Sequence, residues 1–420
     1  MDSSSPVAVT GITDAAAVST GGSHSCAVLT GGSIKCWGAN VYGQLGNGSH
    51  ADSAVPVAVT GITDATAVST GDSHSCAVLT GGSIKCWGNN RYGQLADGTT
   101  PRSATPVTVT GITDATAVSA GSIRSCALLT GGTIKCWGAN VYGRLGNGSH
   151  ADSATPVAVT GITDATAVST GGFSHSCALL SGASIKCWGD NSSGQLGDGT
   201  TTTSATPVAV TGGIDATAVS TGGSNSCALL TGGGIKCWGA NDVGQLGNGS
   251  TTRSAPPVAV AGITDATVIS TGNGHSCAVL IGGSIKCWGA NSRGQLGEGA
   301  RLSSSTPVAV TGSTSAIAIS AGSSNSCAVS SGGSIKCWGD NRSGQLGNGG
   351  ATANSSTPSR RSGSPTPPLS APAASIRVRC WAVAASSAGV TLSLGSWGAT
   401  AGRRGRPCAS SPPNPSRQSR

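Results

Sequence analysis

The sequence predicts an all-β fold, a β-propeller of tandem repeats followed by a distinct C-terminal segment. Three observations carry that expectation. First, a proline ahead of a VAV-like segment recurs at Pro6, Pro56, Pro106, Pro156, Pro207, Pro257 and Pro307, at intervals of 50 residues with a single 51. One insertion near Phe173 accounts for the longer interval, so seven near-identical units fill residues 6–350. Second, no unit sustains the 3.6-residue period of a helix; short Val, Ala, Ile and Leu segments alternate with Gly, Thr, Ser, Asn and Asp clusters, as strands alternate with turns. Third, each unit holds four strand candidates, and four short strands in about 50 residues is the arithmetic of a propeller blade. A β-solenoid is the alternative, although its repeats are usually shorter.

In the first unit the strand candidates are Val7–Val9, Ala17–Thr20, Ser25–Leu29 and Ser33–Trp37. The Gly-Ile-Thr-Asp-Ala segment lies between the first two. Its aspartate (Asp14, Asp64, Asp114, Asp164) reads as a turn former whose carboxylate bonds local backbone amides. Thr30-Gly31-Gly32 reads as a three-residue hairpin loop with Gly32 in the left-handed position such loops favour. Residues whose numbers sum to 62 then face each other, so Val28 meets Ile34 and Cys26 meets Cys36 on one face of the hairpin.

That register gives the cysteines a meaning. Fourteen of the 16 form pairs ten residues apart: Cys26 with Cys36, Cys76 with Cys86, Cys126 with Cys136, Cys177 with Cys187, Cys227 with Cys237, Cys277 with Cys287 and Cys327 with Cys337. Directly opposed cysteines in a non-hydrogen-bonded pair lie close enough for a disulfide. Seven cross-strand disulfides are the expectation. Two alternatives stay open: reduced thiols buried as small hydrophobes, and zinc held by His24, Cys26 and Cys36. The histidine of that trio becomes Arg124, Asn225 or Asn325 in other units.

The segment SCAVLTGGSIKCWGANVYGQLG resembles the repeat of the regulator of chromosome condensation family, which has a Gly–His lead-in, an ALT–Gly hairpin, a WG pair and a GQLG turn. Here the WG pairs begin at Trp37, Trp87, Trp137, Trp188, Trp238, Trp288 and Trp338. The GQLG-like turns begin at Gly43, Gly93, Gly143, Gly194, Gly244, Gly294 and Gly344, with Arg144 in place of one Gln and Ala96 in place of one final Gly. The resemblance covers all seven units and implies a seven-bladed propeller. It also implies guanine-nucleotide exchange on a small GTPase and chromatin binding, as in the eukaryotic founder of the family. The face residues for that activity do not map onto these near-identical units.

The formal net charge is +8, but it is unevenly placed. Residues 1–350 carry 15 Lys/Arg and 16 Asp/Glu (net −1), whereas 351–420 carry nine Arg and no acid (net +9). After Pro358 the repeat stops. The genetic code offers a reason. Read from the third nucleotide of each codon, Ser375–Ala382 permits His-Ser-Cys-Ala-Leu-Leu-Gly, and the stretch from Ala384 to Thr391 permits Ser-Ile-Lys-Cys-Trp-Gly-Asp. The expected domains are therefore a propeller over 1–350 and a disordered Arg/Pro/Ser-rich tail over 351–420 that encodes an eighth repeat out of frame. The basicity then carries no message about nucleic acid, and none is expected as a partner.

Repetition works against an enzyme, which needs a unique constellation. There is no Walker loop, HExxH or nucleophile elbow. Asp190-Asn191-Ser192-Ser193-Gly194 resembles the start of a calcium loop but lacks the closing Glu. His24, His74, His175 and His275 lie just before a strand candidate and read as structural turn residues, with a rim contact as the functional alternative. No catalytic residue, cofactor or metal is expected. Differences between units mark surfaces free to specialise: Val41-Tyr42, Arg91-Tyr92, Val141-Tyr142, Ser192-Ser193, Asp242-Val243, Ser292-Arg293 and Arg342-Ser343. Loops of this kind gather on propeller faces, where partners bind. The candidate binding face is Val41, Tyr42, Arg91, Tyr92, Val141, Tyr142, Asp242, Arg293 and Arg342. The expectation is a monomeric, non-catalytic module that binds an unidentified protein. Paired cysteines place it outside the cell or at its surface, although the chain opens inside repeated sequence with no secretory leader, and no apolar run reaches membrane-span length.

Overall fold

The computed structural model describes residues 7–172 and 175–350; the expectations for 351–420 lie outside the described residues. Those described contain 28 strands and no helix. They form seven four-stranded antiparallel sheets, the blades of a seven-bladed β-propeller. After β1 (Val7–Ala8), blade 1 comprises β2 (Ala15–Thr20), β3 (His24–Leu29), β4 (Ile34–Gly38) and β5 (Ser53–Ala58), paired in that order. The unit recurs as β6–β9 (65–108), β10–β13 (115–158), β14–β17 (165–209), β18–β21 (216–259) and β22–β25 (266–309). Blade 7 is β26 (Ala316–Ala321), β27 (Asn325–Ser330), β28 (Ile335–Gly339) and β1.

Sequence unit and blade are therefore out of phase. The strand expected at the head of each unit is the outer strand of the preceding blade, and it begins three residues before the repeat proline, as in Ser53–Ala58 ahead of Pro56. The chain's first strand closes the ring: Val7 pairs with Cys337 and Ala8 with Lys336. Sheet hydrogen bonds from both ends of the repeat array thus join the last blade, and no gap is left between blades 7 and 1. The innermost strand starts earlier than its apolar pattern suggests because the register shifts between Ala15 and Ala17, which breaks the alternation.

The hairpin has the expected register. Val28 faces Ile34 and Cys26 faces Cys36, around a turn in which Gly32 has φ 81°. A side chain at Gly32 would also press on the neighbouring blade, since its Cβ would lie 2.7 Å from the Thr63 carbonyl oxygen. The same opposition recurs in every blade, and each opposed pair is a disulfide. Cys26 is bonded to Cys36, Cys76 to Cys86, Cys126 to Cys136 and Cys177 to Cys187. Cys227 is bonded to Cys237, Cys277 to Cys287 and Cys327 to Cys337. The S–S lengths lie between 2.04 and 2.13 Å and the Cα–Cα distances at 4.0–4.1 Å.

Blades pack through what distinguishes the repeat. The bridge between Cys26 and Cys36 of blade 1 shares a cluster with Leu45, Ile62, Leu79 and Trp87, so this disulfide stacks toward the next blade's tryptophan. The pattern continues round the ring, with Cys187 in the cluster of Trp238, Cys237 in that of Trp288 and Cys287 in that of Trp338. Cys136 lies in the cluster that holds both Trp137 and Trp188. All seven indoles are buried, and each donates its N–H to a backbone carbonyl of the preceding blade's GQLG turn: Trp87 to Gln44 at 2.9 Å, Trp37 to Gln345 at 2.9 Å, Trp188 to Arg144 at 3.0 Å. Gly46 lies flat on Trp87, where a Cβ would come within 2.8 Å of the ring. Nearer the axis, hydroxyls link the innermost strands of neighbouring blades: Ser19 with Thr70 (2.7 Å), Ser119 with Thr170 (2.8 Å) and Ser320 with Thr20 (2.8 Å). Small side chains bury little apolar area, so these directed bonds between buried groups fix how the blades sit.

Candidate binding face

Antiparallel topology sorts the connections. The turns at 21–23 and the loops at 39–52 lie on one face of blade 1, and the hairpin at 30–32 lies on the other. The variable loops and the axial turns therefore share a face.

Each variable loop is built around one asparagine. Asn40 is buried; its Oδ1 accepts the Leu45 amide at 2.9 Å, and its Nδ2 donates to the carbonyls of Ser49 (2.9 Å) and Ala51 (3.0 Å). Gln44 Oε1 accepts the Tyr42 amide at 2.9 Å. Asn90, Asn140, Asn191, Asn241, Asn291 and Asn341 make the same bond to their own leucine amide. In the sequence this asparagine is indistinguishable from the rest of the WG frame. The loop tips are held in place by the protein itself, which lowers the ordering cost of binding.

The candidate residues all reach this face but do not form one cluster. On blades 1–3, Val41 (58% exposed), Tyr42, Val141 (62%) and Tyr142 project outward. Arg91 is exposed, with its guanidinium 5.7 Å from the centroid of the half-buried Tyr92 ring. Arg102 of blade 2 reaches across to the Val41 carbonyl at 3.2 Å. Arg144 lies buried beside Tyr142, 5.1 Å from its ring centroid. Arginine has no acceptor, so it cannot take the Tyr142 amide as Gln44 takes that of Tyr42. Burial lowers its pKa, against the favourable charges of Tyr142, Asp152, Asp190 and Tyr92. The chain has three tyrosines, and all three stand in this one loop on consecutive blades. The opposite half differs. Asp242 pairs with Arg253 (3.2 Å) and Arg342 with Asp340 (2.8 Å), while Arg293 is half-buried.

The axial mouth on the same face is also asymmetric. It encloses about 40 Å³, lined by Asp72, Ser122, Asn273 and Ser323 where blades 1, 4 and 5 have Gly22, Gly172 and Gly223. Ser122 donates a hydroxyl hydrogen bond to the Asp72 carboxylate. Burial raises the Asp72 pKa, and the Ser122 bond and the nearby Arg124 charge oppose that shift. Arg124 is fully buried, donating to Ser176 Oγ (3.2 Å) and to the His175 carbonyl, with Nη1 unpartnered. From sequence, Arg124 serves only as an argument against zinc. The signal that could have marked it is that charge departs from the repeat at Asp72 and Arg124 together, in adjacent units.

The four repeat histidines are structural. Each opens a strand, is buried, and pairs Nε2 with a serine of the next blade: His24 with Ser75 (2.8 Å), His74 with Ser125 (2.8 Å), His175 with Ser226 (2.7 Å), His275 with Ser326 (2.9 Å). Burial holds the first three at a pKa of about 3 and His275 at about 4. Among the described residues no three His, Cys, Asp or Glu side chains come together as a metal site. The repeat aspartates engage backbone amides through their carbonyls rather than through their carboxylates, as Asp14 takes the Thr30 amide at 2.9 Å, and the Asp164 carboxylate accepts from the Ser181 hydroxyl at 3.0 Å.

Comparison with known proteins agrees with the fold. The description "Regulator of chromosome condensation (RCC1) repeat" matches residues 15–44, 65–94, 115–144, 165–195, 216–245, 266–295 and 316–345. A second model of that description matches six segments between residues 32 and 329. Human WBSCR16 is similar in structure, with 20% identity over 76% of this chain and 85% of that one and a TM-score of 0.67. Yeast RCC1 (Prp20), solved bound to Kap60, has 18% identity over 76% of this chain and 79% of its own, with a TM-score of 0.63. A second Saccharomyces cerevisiae Prp20p structure, whose description concerns binding to Gsp1p and histones, has 18% identity over 76% and 81%, with a TM-score of 0.64. No curated protein sequence matches the chain.

Proposed function

The chain belongs to the regulator of chromosome condensation (RCC1) repeat family, and from that premise we propose that it is a non-catalytic scaffold that binds a protein partner through the loops of blades 1–3. The carrying observation is the concentration of Tyr42, Tyr92, Tyr142, Arg91 and Val141 on one rim, over asparagine-locked loops. Tyrosine and arginine are the anchors interfaces favour, and Val41 with Val141 adds exposed apolar surface beside them. The seven buried disulfides suit an oxidising compartment, so the partner is sought outside the cell or in its envelope. The propeller acts as a monomer. The coding DNA beyond codon 358 supplies an eighth repeat in another frame, so 351–420 has no part in binding; DNA whose alternative frame holds no repeat removes that reading.

The test is comparative capture from culture medium and cell envelope. The Y42S/Y92S/Y142S variant, which installs the serine that blades 4 and 7 carry, is expected to lose the captured partner. The D242S/R293S/R342S variant is expected to keep it. Capture unaffected by the tyrosine changes would defeat the proposal. The second reading is nucleotide exchange on a small GTPase, favoured by the propeller shared with yeast Prp20, whose structure is described with Gsp1p binding. Unchanged nucleotide release from candidate GTPases retires it.

A further inference from the structure

We propose that blade 7 contains a binding pocket for a carboxylate carried on a short aliphatic chain. The pocket is a cavity of about 140 Å³ on the face opposite the tyrosine loops, lined by Ser313, Ser315, Ser330, Lys336, Val329 and Trp338 among others. The six other blades show what normally fills it. An isoleucine (Ile12, Ile62, Ile112, Ile162, Ile263) and a leucine (Leu29, Leu79, Leu129, Leu180, Leu230, Leu280) occupy the equivalent places, and in blade 5 Ile214, one residue further along the chain, joins the same kind of cluster beside Ala228 and Trp238. In blade 2, Ile62 and Leu79 pack together over Ala77 and Trp87. Blade 7 has Ser313 for the isoleucine and Ser330 for the leucine, while Trp338 and Ala328 keep the apolar floor. Two large side chains that fill one space are both absent from one blade, and the space stands open.

The charge at the rim changes in the same blade. Asp14, Asp64, Asp114, Asp164, Asp215 and Asp265 mark one position in the other units, and Ser315 replaces them. The lysine is kept, with Lys336 Nζ donating to the Gly312 carbonyl at 3.3 Å over the mouth, as Lys35 does to Gly11 in blade 1. The rim thus loses its carboxylate, keeps its ammonium and gains hydroxyl donors at Ser313 and Ser315. An apolar floor beneath a cationic, hydroxyl-bearing rim fits an aliphatic tail with a carboxylate head. A cavity near 150 Å³ accommodates about six carbons, which sets the length of the tail.

Saturation-transfer NMR on the full chain tests this with isovalerate, hexanoate, hexanol and a peptide ending in leucine. The free acids, the peptide terminus or both are expected to bind, which identifies the source of the carboxylate. Hexanol is expected to bind at least about tenfold more weakly, because it lacks the charge-assisted bond. The filled variant S313I/S330L is expected to abolish binding. If that variant fails to fold, S315D, which restores the carboxylate six blades tolerate, is expected to weaken it about tenfold. No transfer to any carboxylate overturns the proposal, as does binding that persists in S313I/S330L or is unchanged in S315D.

Discussion

Asn225 and Asn325 stand where four sister blades have histidine, and each is buried with both side-chain polar atoms unpartnered. Asparagine is too short to reach the serine that His24 or His275 engages. Asn225→His and Asn325→His are therefore expected to raise stability by about 1–3 kcal/mol each, the cost of a buried unsatisfied group, read by urea denaturation. The histidines set the acid limit. Their folded pKa of about 3 to 4 lies below the ordinary 6.5 because burial disfavours the cation. Their contribution is complete above pH 6.5 and is lost as pH falls from there toward 3. Thermal stability is expected to be flat above pH 7 and to drop below 6.5, and His24→Asn with His275→Asn is expected to flatten that drop. Asp72 has the opposite sign, since its raised pKa relieves a burial cost as pH falls.

The hairpin was legible in advance because one three-residue loop fixes a whole register: with Gly32 left-handed, the opposition of Cys26 and Cys36 follows by counting. The same count places Cys136, Cys187, Cys237 and Cys287 opposite their partners. Other features had no local signature. The bonds of Asn40 go to backbone that comes together only when the loop closes, and the tryptophan bonds go to another blade. The outer strand's membership in the preceding blade depends on ring closure, which no single unit encodes. The disulfides carry the main expectation at this scale. Each closes a loop of ten residues, worth about 2–3 kcal/mol by loop entropy. Replacing Cys76 and Cys86 together by alanine is expected to lower stability by at least that amount while the propeller still forms. Alkylation of the unreduced protein, followed by mass measurement, is expected to label at most two of the 16 cysteines. Labelling of all 14 repeat thiols would contradict the pairing.

The whole molecule is a ring of nearly interchangeable blades, so its informative parts are the departures from the repeat. On one face blades 1–3 carry the three tyrosines with Arg91, Arg102 and Arg144, and Asp72 at the axial mouth with Arg124 buried nearby, while blades 5–7 carry Asp242, Arg253, Arg293 and Arg342 without a tyrosine. On the other face the departures gather in blade 7, where two core side chains are missing. The +8 charge is not among these signals, because residues 1–350 carry −1. One rim of this otherwise repetitive ring is expected to hold the partner, and hydrogen exchange of the full chain with and without the captured partner checks it. Added protection is expected in the loops at 39–52, 89–102 and 139–152. Protection spread evenly over all seven blades, or confined to the hairpins of the opposite face, would contradict it.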